Sequence, residues 1–403
     1  MIESANLVDK NKVFFLLVLL ALATIGWTTT TVLHELYIDI IRKLLLVFFS
    51  LMILYGFSFN ILKNNISKST IYNVAVFFVL FIYGFSQSVL YGGAHYFSNT
   101  TLLLYIVLGF FISLALARLK YNCTVFFVFS ICLYVIFLLY CILLMVTGGV
   151  DISIPPKYNF SSTELMYSQG LTKFFMYAAL LCMCILVFFP TRLSRLFKLI
   201  ILLSFFIFFI LSFAGGARGD FLFGFLIILC FFYYYSRLLF FLFSLIFCAL
   251  IYNTNTFSNI VDGFIIVSRF SNMLSENGFA DFGSRASFFT EALNLLSLNP
   301  GCLSFGCGFN FFQYFYRYDF AQYPHNFLLE LIISFGLPFS MLMVYMYLKG
   351  LLKFTRENGL NVISIFAVYT FMLSLKSGSI FEFLNYAFFI FFISYYLSFK
   401  FKN

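Results

Sequence analysis

Four short polar clusters interrupt an otherwise apolar chain, and their residue types could handle an anionic substrate. The first is Gly215-Gly216-Ala217-Arg218-Gly219-Asp220. Its glycines permit tight turning and close backbone approach. The Arg218 guanidinium is a fixed fork of donors that matches phosphate oxygens. The plainer alternative is an Arg218–Asp220 pair closing a hairpin. The second cluster is Gly283-Ser284-Arg285-Ala286. A helix start there would offer free N–H groups to an anion, with Arg285 in the same turn. Arg269 is a further cation upstream, and a solvated loop arginine is the alternative for both. The third cluster is Tyr323-Pro324-His325-Asn326, with Glu330 one turn beyond. Histidine is the side chain best suited to proton transfer near neutral pH. Glu330 is close to it at i+5, off the ideal i+4 face. The fourth is Lys376-Ser377-Gly378-Ser379 with Glu382, where a snorkelling lysine is the alternative.

Together these clusters point to anion binding coupled to proton transfer. Arg218, Arg285, Arg269 and Lys376 are the candidate anion ligands. Tyr323 and Asn326 are candidate substrate contacts, His325 is the candidate base, and Glu330 and Asp220 are possible bases or supports. Other chemistries lack their signatures. There is no phosphate-binding Gly-x-x-x-x-Gly-Lys-Ser/Thr string, no Asp-x-Asp pair for a metal–nucleotide-sugar and no zinc-protease His/Glu spacing, so neither a metal nor a cofactor is expected.

The elements that must position these clusters are membrane spans. Of 403 residues, 63% are hydrophobic and only 10% are charged, with a mean hydropathy of +1.01. A soluble domain carries roughly 25% charged residues, so a soluble fold is excluded. Apolar runs give twelve candidate spans: Val13–Leu33, Leu44–Leu62, Ile71–Tyr91, Thr101–Ala117, Cys123–Thr147, Phe174–Pro190, Leu199–Ala214, Phe221–Tyr235, Leu238–Tyr252, Phe327–Leu348, Leu360–Leu375 and Leu384–Phe399. The expectation is a single all-α, polytopic membrane domain. Residues 1–252 hold spans one to nine, 253–326 form a long loop with amphipathic helices, and 327–403 hold spans ten to twelve. Ala21-Leu22-Ala23 resembles a signal-peptide cleavage site, but a retained first span is preferred.

Charge sets the orientation. With the N-terminus in the cytoplasm, one face takes fifteen of the 24 Lys and Arg but only three of the 15 acids, hence +12 there and −3 on the other. Cytoplasmic loops carry the excess of Lys and Arg, so both termini are expected inside. The net charge of +9 thus needs no nucleic-acid partner. The long loops Gly148–Lys173 and Asn253–Asn326 face outward, with all four polar clusters on that side. In the second loop, Ile260, Phe264 and Val267 recur at helical spacing, as do Phe289, Leu293 and Leu296, predicting two helices that lie on the membrane as a lid. Gly306-Cys307-Gly308 marks a turn. Cys302 and Cys307 are read as two thiols, with a disulfide as the alternative. His34 and His95 are read as structural or solvated. The 64 Phe and 27 Tyr are mostly lipid-facing or packing material. Phe311, Phe312, Tyr314, Phe315, Tyr316 and Tyr318 could instead stack on sugar.

The order of these pieces resembles a known family. Phe213-Ala214-Gly215-Gly216-Ala217-Arg218-Gly219, then Ser284-Arg285, then Gly306-x-Gly308, then Pro324-His325-Asn326 before a span is similar to the O-antigen polymerase and ligase superfamily of bacterial inner membranes. The resemblance covers roughly residues 212–338, and the N-terminal half matches only in hydropathy. It implies a GT-C-like, metal-independent, inverting glycosyltransferase at the periplasmic face, making lipopolysaccharide. Its donor would be an oligosaccharide on undecaprenyl pyrophosphate, with membrane lipids around it and a flippase and chain-length regulator as possible partners. By similarity Arg218 and Arg285 would bind the pyrophosphate, and His325 would serve the acceptor hydroxyl. The Gly-Gly-Ala-Arg-Gly turn and the Lys376-Ser377-Gly378 segment look more like polymerases than ligases. A polysaccharide flippase or transporter is the rival from another class.

Overall fold

The computed structural model describes residues 68–93, 123–146, 150–151, 157–158, 169–245 save 239 and 242, 284–318, 322–379 and 382–400, with isolated positions between 106 and 117. The first two expected spans, most of the ninth, the expected helix around Ile260, Phe264 and Val267, and Arg269, His34 and His95 lie outside the described residues.

Among the described residues the chain is helical, apart from one two-residue antiparallel pair, β1 (Val150–Asp151) with β2 (Lys157–Tyr158). Helices α1 (Lys68–Tyr91), α2 (Cys123–Val146), α3 (Gln169–Phe188), α4 (Arg195–Leu211) and α5 (Arg218–Tyr235) come first. Helices α6 (Ser284–Leu298), α7 (Pro300–Phe305) and α8 (Phe311–Tyr316) occupy the expected loop. Helices α9 (Phe327–Phe335), α10 (Leu337–Asn358), α11 (Val362–Ser377) and α12 (Phe383–Lys400) follow. Three segments, Lys68–Tyr91, Phe126–Val146 and Gly170–Phe188, are long and apolar enough to cross a bilayer.

Helix α3 is the axle of the packing. It is apolar around its whole circumference, and such a helix belongs inside. Every residue from Leu171 to Ile185 is buried, and α3 touches α2, α4, α5 and α11. Helix α12 packs on both α1 and α10. Gly350 allows that second approach, because a Cβ there would strike the Phe392 carbonyl. Small residues let helix backbones approach in this way.

Two expectations about the elements are corrected. The tenth span, expected as continuous from Phe327 to Leu348, is broken. Helix α9 ends at Gly336, whose φ of +81° leaves helical space. Helix α10 then restarts with Pro338 in its first turn. The Ser340 hydroxyl bridges the break by donating to the Leu331 carbonyl at 2.9 Å. The sixth span begins at Gln169 rather than Phe174, which moves Lys173 from a loop into a helix.

The loop helices build a second, smaller core. Ala292, Leu295 and Leu296 of α6, the Cys302–Cys307 disulfide, Phe311 and Phe312 pack on Leu329 and Ile333 of α9. The disulfide replaces the two thiols expected. Of the stripe expected on α6, Leu296 is buried, whereas Phe289 and Leu293 are exposed. Helix α6 has apolar residues on both sides, so spacing alone does not choose the buried face. The Gly306-x-Gly308 segment is a docking strip rather than a free turn. The Cys307 and Gly308 N–H groups donate to the Ile333 and Ser334 carbonyls at 2.7 and 3.1 Å. Gly306 at φ +81° and Gly308 at φ +83° lie against the end of α9 and against Ser88 of α1, where a side chain would collide.

Candidate functional site

Chain alternation brings the starts of α3, α5, α9 and α12 and the end of α11 to one end of the bundle. The first, third and fourth polar clusters meet there. Arg218 opens α5 and Asp220 lies in its first turn. Lys376 lies in the last turn of α11. The Lys376 ammonium donates to Asp220 Oδ1 at 2.9 Å. Asp220 is completely buried, whereas Lys376 is partly exposed. Each charge also sits at the helix end whose dipole favours it, the anion at an N-terminus and the cation at a C-terminus. A Cβ at Gly219 would meet the outer end of the Lys376 side chain at 2.5 Å, so a larger residue there would shift that ammonium.

A second pair lies alongside. The Lys173 ammonium donates to Glu382 Oε1 at 3.1 Å, while the Asn385 amide donates to Glu382 Oε2 at 3.3 Å. The two pairs are joined through the starts of α3 and α5. The Ala217 N–H donates to the Thr172 hydroxyl at 3.3 Å, and the Tyr369 hydroxyl of α11 donates to the Asp220 carbonyl at 2.9 Å. Lys173 and Thr172 carried no sequence signal of their own. The only clue to Lys173 was a cation at the edge of a long apolar run.

The histidine loop is pinned onto the same end. The Tyr323 hydroxyl donates to the Ser377 carbonyl at 3.0 Å, and the Asn326 amide donates to the Leu375 carbonyl at 2.8 Å. Asn326 also caps α9, accepting from the Leu329 N–H at 3.1 Å. Asn326 and Tyr323 therefore position the loop. Glu330 is buried and accepts from the Ser379 hydroxyl at 3.0 Å, which gives it a supporting place beside the α11–α12 turn. Between these anchors His325 is held at a left-handed φ of +51°. Its ring lies 4.1 Å from Tyr323 and 5.5 Å from Phe288 of α6. A non-glycine residue in that region costs energy, and such positions cluster at functional sites.

Arg218 and Lys376 are thus brought together with the His325 loop. Arg285 is the second residue of α6, the helix whose Phe288 touches His325. The Arg285 side chain lies outside the described residues, as does Arg269. Of the aromatics proposed to stack on sugar, Phe311 and Phe312 are core. The Tyr316 hydroxyl donates to the Glu291 carbonyl at 2.8 Å, and the Tyr318 hydroxyl donates to the Glu291 carboxylate at 3.0 Å. Burial, then the Glu291 carboxylate, raises both phenols above their ordinary range, so both stay protonated donors. Tyr314 and Phe315 keep exposed faces.

These features define a helical, membrane-type protein with a buried charge network and a strained histidine at one end. No family model, curated protein or solved structure matches the chain.

Proposed function

We propose that the chain is a surface-polysaccharide polymerase of the O-antigen type. It would join oligosaccharide repeats carried on undecaprenyl pyrophosphate and release undecaprenyl pyrophosphate. The observation that carries this reading is the meeting of Arg218, the Asp220–Lys376 pair and the His325 loop at one end of the bundle.

In this reading the acceptor hydroxyl attacks the anomeric carbon of the donor sugar. The bond from that carbon to the pyrophosphate oxygen breaks, and the configuration inverts. His325 takes the hydroxyl proton. Arg218 and Arg285 stabilise the charge that develops on the departing pyrophosphate. Asp220 and Glu382 hold the Lys376 and Lys173 ammonium groups in place before the diphosphate arrives. No metal or cofactor enters the reaction. The remaining parts of the proposal are twelve spans in a GT-C-like arrangement, both termini cytoplasmic in a bacterial inner membrane, and residues 253–326 as a periplasmic lid. An O-antigen ligase, transferring glycan to lipid A-core, would use the same groups.

The test is extension of a lipid-linked repeat by detergent-purified protein. A ladder of longer glycans is expected. Transfer only to lipid A-core would favour the ligase. The break at Gly336 favours a second reading, since discontinuous helices mark substrate sites in secondary transporters. Movement of a lipid-linked glycan across vesicles with no longer product would establish a transporter instead.

A further inference from the structure

At the opposite end of the bundle, between α10 and α12, lies a cavity of about 320 Å³ lined by Lys349, Leu352, Lys353, Arg356, Glu357 and Tyr396. The three cations recur at i, i+4 and i+7 on α10, so they share one helix face. The Lys349 ammonium lies 5.6 Å from the centre of the Tyr345 ring, and Lys353 lies over Phe399. Tyr345 in turn sits 6.2 Å from Tyr396 of α12. Aromatic rings thus flank the cationic mouth on both helices. Glu357 is the one opposing charge in the lining, and its carboxylate accepts from the Tyr395 hydroxyl.

Below the mouth the same helix offers an apolar track. Leu352, Leu348, Tyr345 and Met341 follow at steps of four, three and four residues. All four are exposed, from 40% at Leu348 to 63% at Met341. A cationic mouth continuous with an exposed apolar stripe fits an anionic headgroup carried on hydrocarbon chains.

We propose that this cavity holds the headgroup of an anionic phospholipid, with its acyl chains along the Leu352–Met341 stripe. Basic pockets between membrane helices bind such headgroups, and each Lys or Arg near an anionic surface contributes about 1 kcal/mol, or about fivefold in affinity. The site is separate from the charge network at the other end and does not depend on the reading of that network.

The test uses the full-length protein purified from vesicles of phosphatidylcholine doped with phosphatidylglycerol, with the phospholipid retained per protein measured by mass spectrometry. Wild type should enrich phosphatidylglycerol over phosphatidylcholine. A Lys349→Gln/Lys353→Gln/Arg356→Gln variant should lose about 100-fold in that preference. An Arg195→Gln/Lys198→Gln/Arg237→Gln variant, altered near the same end but outside the cavity, should keep it. Glu357→Gln retains an acceptor for Tyr395 and should strengthen retention about fivefold. Any one of four results would overturn the proposal: no enrichment by wild type, equal loss in both triple variants, no strengthening in Glu357→Gln, or displacement of the lipid by inorganic phosphate.

Discussion

At one end of the bundle, Lys376 and Lys173 are locked onto Asp220 and Glu382 within a layer that also holds Thr172, Tyr369 and Asn385. At the other, Arg195, Arg237 and Lys400 are exposed and lie outside the α10–α12 cavity. The difference lies in what each charge does for the chain. A surface cation gains little from any one partner, and exposed ion pairs are worth about 0–1 kcal/mol. Such residues can be many and interchangeable, and orientation in a membrane depends on their number. A buried pair is different. Desolvation consumes most of its attraction, so it adds little net stability, yet removing one partner costs about 3–5 kcal/mol. Groups retained under those terms are candidates for function rather than for folding.

The largest effect that could break this comparison is on chemistry. Arg218→Ala should lower chain extension of a lipid-linked repeat about 10²–10³-fold, the usual loss when one donor to a developing anion is removed. His325→Ala should lower turnover about 10²-fold and donor binding much less. Arg195→Ala at the opposite end should leave both unchanged. Equal losses at the two ends would mean that the network is a folding device.

Stability gives the next test. Lys376→Met leaves the fully buried Asp220 carboxylate without its ammonium and should cost about 3 kcal/mol in detergent unfolding. Lys376→Met combined with Asp220→Asn should recover much of that loss, because no unpaired charge remains. A double variant that is merely the sum of its singles would show that the pair is not coupled. Gly308→Ala should cost about 1–3 kcal/mol, since φ +83° and the adjacent Ser88 backbone both oppose a Cβ. Its effect should fall on docking of the segment around Phe309 to α1, read as faster proteolysis between α6 and α9.

Much of this arrangement was legible in the sequence, but unevenly. The starts and ends of helices α1, α2 and α5 follow the apolar runs closely, because a long apolar run bounded by polar residues sets the ends of a helix with no reference to neighbours. All four polar clusters were visible as polar interruptions. Pairing was not. Asp220 and Lys376 are 156 positions apart, Lys173 and Glu382 are 209 apart, and nothing local links either pair. The face of α6 that packs on α9 carried no distinct signal, because Ala292 and Leu295 look no more suitable for burial than Phe289 and Leu293. The break in the tenth span did have a signal. Gly336 followed by Pro338 is a stop and a start, but the surrounding apolar run Phe327–Leu348 outweighed it.

The smallest expected effect is the sharpest check on the comparison. Arg195→Gln with Arg237→Gln removes two exposed cations from the basic end. Exposed substitutions away from caps and buried partners usually stay within about 0.5 kcal/mol. The unfolding midpoint should therefore hardly move, and extension of a lipid-linked repeat should match wild type. The Ser194 cap of α4, which accepts from the Phe197 N–H at 3.2 Å, is untouched by either change. In the proposed topology, the two substitutions also reduce the excess of cations that sets which way the helices insert. Protease accessibility of that end in intact spheroplasts would report this separately from stability. If orientation shifts while stability holds, the exposed cations act through the membrane. If stability falls as far as in Lys376→Met, these arginines have packed partners, and the contrast between the two ends fails.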